Sequence, residues 1–162
     1  MVRKIQTRAG HVGYRNQLDR ARRFLERAER STNEDDDPMT DVEFQDMMWA
    51  FFQNCWHVKD WVVNDPVMDQ PKKDAVCARA HASTALLVCR DMCNGTKHLG
   101  ARSGAAHDHI DTTIVPGVET IMDCLIDRGD GVLVSGRALA HQCIGEWCGI
   151  LESNGLATAR LS

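Results

Sequence analysis

Two short stretches carry residue types that do acid–base and phosphate chemistry. CRDMCNGTKHLG, residues 89–100, opens with Arg90 and Asp91, passes through Asn94 and ends with Lys97 and His98. On a helix, Arg90, Asn94 and either Lys97 or His98 fall on one side. HVKDW, residues 57–61, puts His57, Asp60 and Trp61 on one helix face, with Lys59 beside them. Moving a proton while charge builds on a phosphate needs a base and nearby positive charge. His98, whose side chain ordinarily titrates at about 6.5, suits the base or acid. Arg90 offers a bidentate fork and Lys97 a point charge. Asn94 could orient the histidine or the phosphate, and Asp91 could hold the arginine.

The same residues also suit a plain helix C-terminus. Asn94-Gly95 would stop the helix, and Lys97 and His98 would complement its exposed carbonyls and dipole. Arg90 and Asp91 would then be ion-pairing residues without a chemical task. A third constellation, His107-Asp108-His109, could hold a divalent ion if it began a strand. Its surroundings read as a loop, and no further ligands can be named. No nucleotide-binding glycine loop, H-E-x-x-H motif or nucleophile elbow is present, so no cofactor is expected.

Seven cysteines give an odd count and contain no C-x-x-C pair. In a reducing compartment they read as small buried hydrophobes. Cys77 with His81, and Cys89 with Cys93, are the i,i+4 pairs that could chelate a metal. On one continuous helix those pairs stand about 18 Å apart, too far to share an ion. No metal is expected.

The elements that must position these residues are mostly helical. Residues 14–31 form a first helix, with an apolar stripe of Tyr14, Leu18, Ala21, Leu25 and Ala28. Arg20, Arg23, Arg27 and Arg30 run beside the stripe, as a phosphate-contacting row or as a solvated, self-paired face. STNEDDDP, 31–38, reads as a linker. A second helix begins at Thr40 or Asp41, with Glu43 completing a capping box, and ends at Asn64-Asp65-Pro66. Phe44, Met48, Phe51, Cys55, Val58 and Val62 make its apolar face, and Trp49, Phe52, Trp56 and Trp61 widen it. A helix so apolar belongs at the centre of a bundle.

A third helix is expected from Pro71 to about Asn94. If it returns antiparallel to the second, His57 and Asp60 lie nearer Cys77 than His98. The two polar stretches then form separate clusters, or meet only across a dimer. Residues 110–115, 119–127 and 132–135 read as a small antiparallel meander. A last helix follows Ser135, carries Leu139, Cys143, Trp147, Ile150 and Leu151, and closes at Asn154-Gly155. The fold class is therefore mainly α: one domain of about four helices with a β-meander before the last. Residues 14–152 are its ordered core, with 1–13 and 155–162 flexible.

Length and balance agree with a single cytoplasmic domain. The 162 residues are 43% hydrophobic and 26% charged, and no apolar run is long enough to span a bilayer. Net charge is −4, yet residues 1–30 carry +6 and the remainder −10. The basic first helix can meet an anionic partner or the acidic body of its own chain.

FFQNCWHVKDWVVND followed by LLVCRDMCNGTKHLG resembles a group of small uncharacterised bacterial proteins. Their pattern is a His-x-Lys-Asp-Trp helix, an Arg-Asp-x-x-Asn-Gly-(Ser/Thr)-Lys-His segment, a β-hairpin and a final Trp-containing helix. More loosely, Arg90, the polar Asp91 and His98 resemble the arginine–polar–histidine signature of the HEPN superfamily, over a longer interval. That resemblance implies a metal-independent ribonuclease of the toxin or phage-defence type, with Arg90 and His98 catalytic. It also implies RNA as substrate, a cognate protein partner and a symmetric homodimer. The alternative is a non-catalytic partner-binding or structural helical protein.

Overall fold

A computed structural model describes residues 13–30, 39–95, 107–111, 122–127 and 131–160. The 31–38 linker, residues 1–12, Lys97, His98 and most of the stretch between the first two strands lie outside them. The described chain is mainly helical, with a small antiparallel sheet before the last helix. In order it forms α1 (Gly13–Arg30), α2 (Asp41–Val63), α3 (Gln70–Ala82), α4 (Thr84–Gly95), β1 (His107–Asp111), β2 (Asp123–Asp127), β3 (Leu133–Ser135) and α5 (Gly136–Ser153).

Helix α2 starts where its sequence says it should. The Thr40 side chain accepts from the Glu43 backbone N–H, and the Glu43 carboxylate accepts from the Thr40 N–H at 2.9 Å. Its buried face, with Phe44, Phe51, Phe52, Cys55, Val58 and Val62, touches all four other helices. Asn64 caps the far end, and the buried Asp65 accepts from the N–H groups of Val67 and Met68 at 2.9 and 3.2 Å. That Asx turn points the chain into α3, where Asp69 is N-cap and Pro71 sits in the first turn.

The expected third helix is two helices. Ser83 has extended backbone, with ψ 119°, and serves both neighbours. Its N–H closes α3 on the Arg79 carbonyl at 3.1 Å. Its hydroxyl and carbonyl accept from Leu86 and Leu87 at the start of α4, at 3.3 and 2.9 Å. One residue thus ends a helix and caps the next, which the alanine-rich run around it conceals.

The sheet is a β1-β2-β3 meander, antiparallel throughout. Strand β1 begins at His107, earlier than the expected strand, and pairs His107 with Asp127 and His109 with Leu125. Asp123 fastens the meander to α5. Its Oδ1 accepts from the Arg137 N–H at 3.0 Å and its Oδ2 from the Ser135 hydroxyl, while Ser135 caps Ala138 at 3.0 Å. Gly136 is required at this junction, because a Cβ there would collide with Cys124 Sγ.

Beyond Asn154 and Gly155 (φ 69°), the tail to residue 160 lies along α1 rather than standing free of it. Arg15 donates to the Ala159 carbonyl at 2.6 Å, Arg22 to the Thr158 carbonyl at 2.8 Å, and Arg160 pairs with Glu26. The basic first helix therefore meets its own chain on one side. Residues 161 and 162 lie outside the described set.

Candidate functional site

The break at Ser83 decides where the polar residues go. Cys89 Sγ donates to the Phe52 carbonyl at 3.3 Å, and Cys93 Sγ lies 3.8 Å from His57 Nε2. Both contacts advance in the same direction along the two chains, so α4 runs parallel beside α2. His57 therefore meets Cys93, one helical turn beyond Arg90. This corrects the expectation that His57 would stay with Cys77, away from the second polar stretch. A continuous third helix would have kept them apart; an extended Ser83 lets the chain redirect.

Arg90 is held by its neighbour. Its Nε and Nη2 both donate to Asp91 Oδ1, at 2.9 and 2.8 Å. Nη1 is outside that pair, and the arginine side chain keeps 37% of its exposure against 19% for Asp91. Asn94 is exposed, and Gly95 ends the helix. One turn of α4 thus carries a guanidinium paired with Asp91, a thiol set against the half-buried His57 imidazole, and the exposed Asn94 amide. Lys97 and His98 follow it in sequence but are outside the described residues.

His57 and Asp60, expected on one face, serve different neighbours. Lys59 pairs with Asp60 at 3.2 Å, and its Nζ stands 5.3 Å from the Trp56 ring centre. Their charges reach Cys77 on α3. Burial pushes that thiol up, and Asp74 and Asp60 push it further while Lys59 opposes them. Trp56 meets His81 edge to face at 5.5 Å. Lys59 and Asp60 therefore belong to the α2–α3 contact, and His57 alone joins the Arg90 end. His107 and His109, expected in a loop, are in strand β1.

The arginine row of α1 is exposed at Arg20, Arg23, Arg27 and Arg30. Part of it is self-paired: Arg20 donates to Gln17 Oε1 at 3.2 Å and Arg30 lies 3.7 Å from Glu26. The buried Asp19 takes Arg22 at 3.0 Å. The row is partly a solvated, internally balanced face.

One grouping escaped the sequence reading. Cys55 on α2, Cys89 on α4 and Cys143 on α5 place their sulfurs within 4.8 Å of one another, all buried. Burial pushes the Cys55 and Cys89 thiols up, whereas Cys143 is drawn down by the neighbouring sulfurs, Cys55 first and then Cys89. The chelating pair considered from spacing, Cys89 with Cys93, splits between two environments. Cys55 and Cys143 each stood on a predicted core-facing stripe, and that was the available signal.

No helix among the described residues is long and apolar enough to cross a membrane. Comparison with protein-family models, with curated proteins and with solved structures finds no match.

Proposed function

We propose that the Arg90 end of the α2–α4 pair binds an RNA phosphate and that the protein is a HEPN-like, metal-independent endoribonuclease. The contact between His57 and Cys93 carries the reading, because it sets an imidazole against the α4 residue one turn beyond an arginine that pairs with Asp91. In the reaction, the ribose 2′-oxygen attacks phosphorus and the bond to the 5′-oxygen breaks. A 2′,3′-cyclic phosphate and a free 5′-hydroxyl result. One imidazole takes the 2′-hydroxyl proton and another group returns a proton to the leaving oxygen. His57 and His98 are the candidate donors and acceptors. Arg90, with Lys97, stabilises the charge gathering on the phosphorane oxygens. A homodimer and a cognate protein partner belong to the same proposal.

A second reading has its own support. Two of the Arg90 nitrogens are already spent on Asp91, as in a structural ion pair at a helix terminus. In that case the protein is a non-catalytic binding or structural module. Cleavage of diverse RNAs by purified protein in a chelating buffer separates the two. The nuclease reading expects cleavage that falls by on the order of 100-fold or more in Arg90→Ala and in His98→Ala, with the fold kept. Intact RNA under all conditions leaves the binding module standing.

A further inference from the structure

Beyond the polar end, the geometry points to a metal site: Cys55, Cys89 and Cys143 together hold a soft, thiophilic cation through three sulfurs at the junction of α2, α4 and α5. The three sulfurs come from three different helices and from positions far apart in sequence, yet all lie within 4.8 Å of one another. A trigonal ion with metal–sulfur bonds of about 2.3 Å needs sulfurs about 4.0 Å apart. The cluster therefore needs only sub-ångström contraction to close on one.

A second feature points into the same place. Trp147 is fully buried, and its indole Nε1 has no hydrogen-bond partner among the described residues. Burial pushes the Cys55 thiol up, and the Trp147 indole beside it is the last of the groups that draw it back. A buried N–H left unmade ordinarily costs on the order of 1–3 kcal/mol, so its retention calls for an acceptor. A metal-bound thiolate is a much stronger acceptor than an uncharged thiol, and such a donor beside a sulfur ligand is the outer-sphere partner that metal sites use.

The ligand set selects the ion. Thiolate favours Cu(I) and its soft relatives over hard cations that seek oxygen. Zinc in a structural site takes four ligands, and only three donors converge here among the described residues. A three-coordinate ion of the Cu(I) or Cd(II) kind fits better. Each ligand binds as thiolate, so the remaining thiol protons pass to solvent and no atom changes oxidation state. Because the ligands come from three helices, bound metal would fasten the centre of the bundle.

The test uses the full chain, reduced and refolded from denaturant without oxygen in the presence of Cd(II) or Cu(I), so that burial does not block entry. The expected result is about one retained ion per chain, with X-ray absorption counting three sulfurs at roughly 2.3–2.5 Å. Cys55→Ala, Cys89→Ala and Cys143→Ala should each weaken retention by on the order of 100-fold or more, while Cys77→Ala and Cys148→Ala leave it unchanged. Wild-type protein that retains no ion, or holds one with fewer than three sulfurs, overturns the assignment. So does full retention in any folded variant of the three, or a disulfide within the cluster in place of metal. The sulfur count needs no variant to fold, and no readout involves RNA, so this inference and the proposed function fail separately.

Discussion

Cys89 and Cys93 sit one turn apart on α4, both with 0% exposure, and their surroundings have little in common. Cys89 meets two sulfurs from α2 and α5 in the buried centre of the bundle. Cys93 meets an imidazole at the end where Arg90, Asp91 and Asn94 gather. Residue type and burial are the same, so the difference comes from what the facing helix presents at each level. At Cys89 that is apolar ring and thiol; at Cys93 it is the first polar group of the HVKDW stretch. Helix α4 thus runs from a packed interior to a polar rim within two turns.

Removing what encloses the lower level should have the largest effect. Trp147→Ala empties a fully buried site next to the sulfur cluster and should cost about 3–5 kcal/mol, read by urea unfolding. A cost under about 1 kcal/mol would mean the centre is loosely packed. Gly136→Ala comes next, at about 1–3 kcal/mol, since the new methyl must displace Cys124 where the meander meets α5. A neutral result in the same unfolding assay would place that junction wrongly.

The two levels of α4 can then be compared directly. Cys89→Ala and Cys93→Ala should each cost about 1 kcal/mol, yet only the first should abolish metal retention. Equal losses of metal in the two would erase the distinction. The smallest effect belongs to the tail. Arg160→Ala should lower stability by about 0.2–1 kcal/mol, because its pair with Glu26 is substantially exposed. The hydrogen bond from Arg160 holds the Glu26 carboxyl below its usual value, so the folded state binds that proton less readily than the unfolded chain. The pair's contribution is present above the ordinary glutamate range and fades as pH falls through the folded value. Proteolytic release of the tail at pH 4 and below, absent at pH 6, would show it.

Much of this was legible where a local rule decides. Thr40 with Glu43, Ser135 and Asn154-Gly155 marked their helix ends because capping depends on neighbours a few residues away. The meander before α5 followed from β-branched runs between turn residues. Ser83-Thr84 carried a capping signal too, but the apolar run continues on both sides and outweighs it. That single residue reset the phase of α4, and with it the partners of Cys89, Cys93 and His57. The sulfur cluster depends on three helix faces converging, which no local spacing contains.

The product ends of RNA cleavage test the proposed chemistry most directly. In a chelating buffer, the account predicts fragments ending in 2′,3′-cyclic phosphate and beginning with a free 5′-hydroxyl, made by the wild-type protein and lost with Arg90→Ala. Fragments carrying 5′-phosphate, cleavage that needs a divalent ion, or cleavage that survives Arg90→Ala would contradict it.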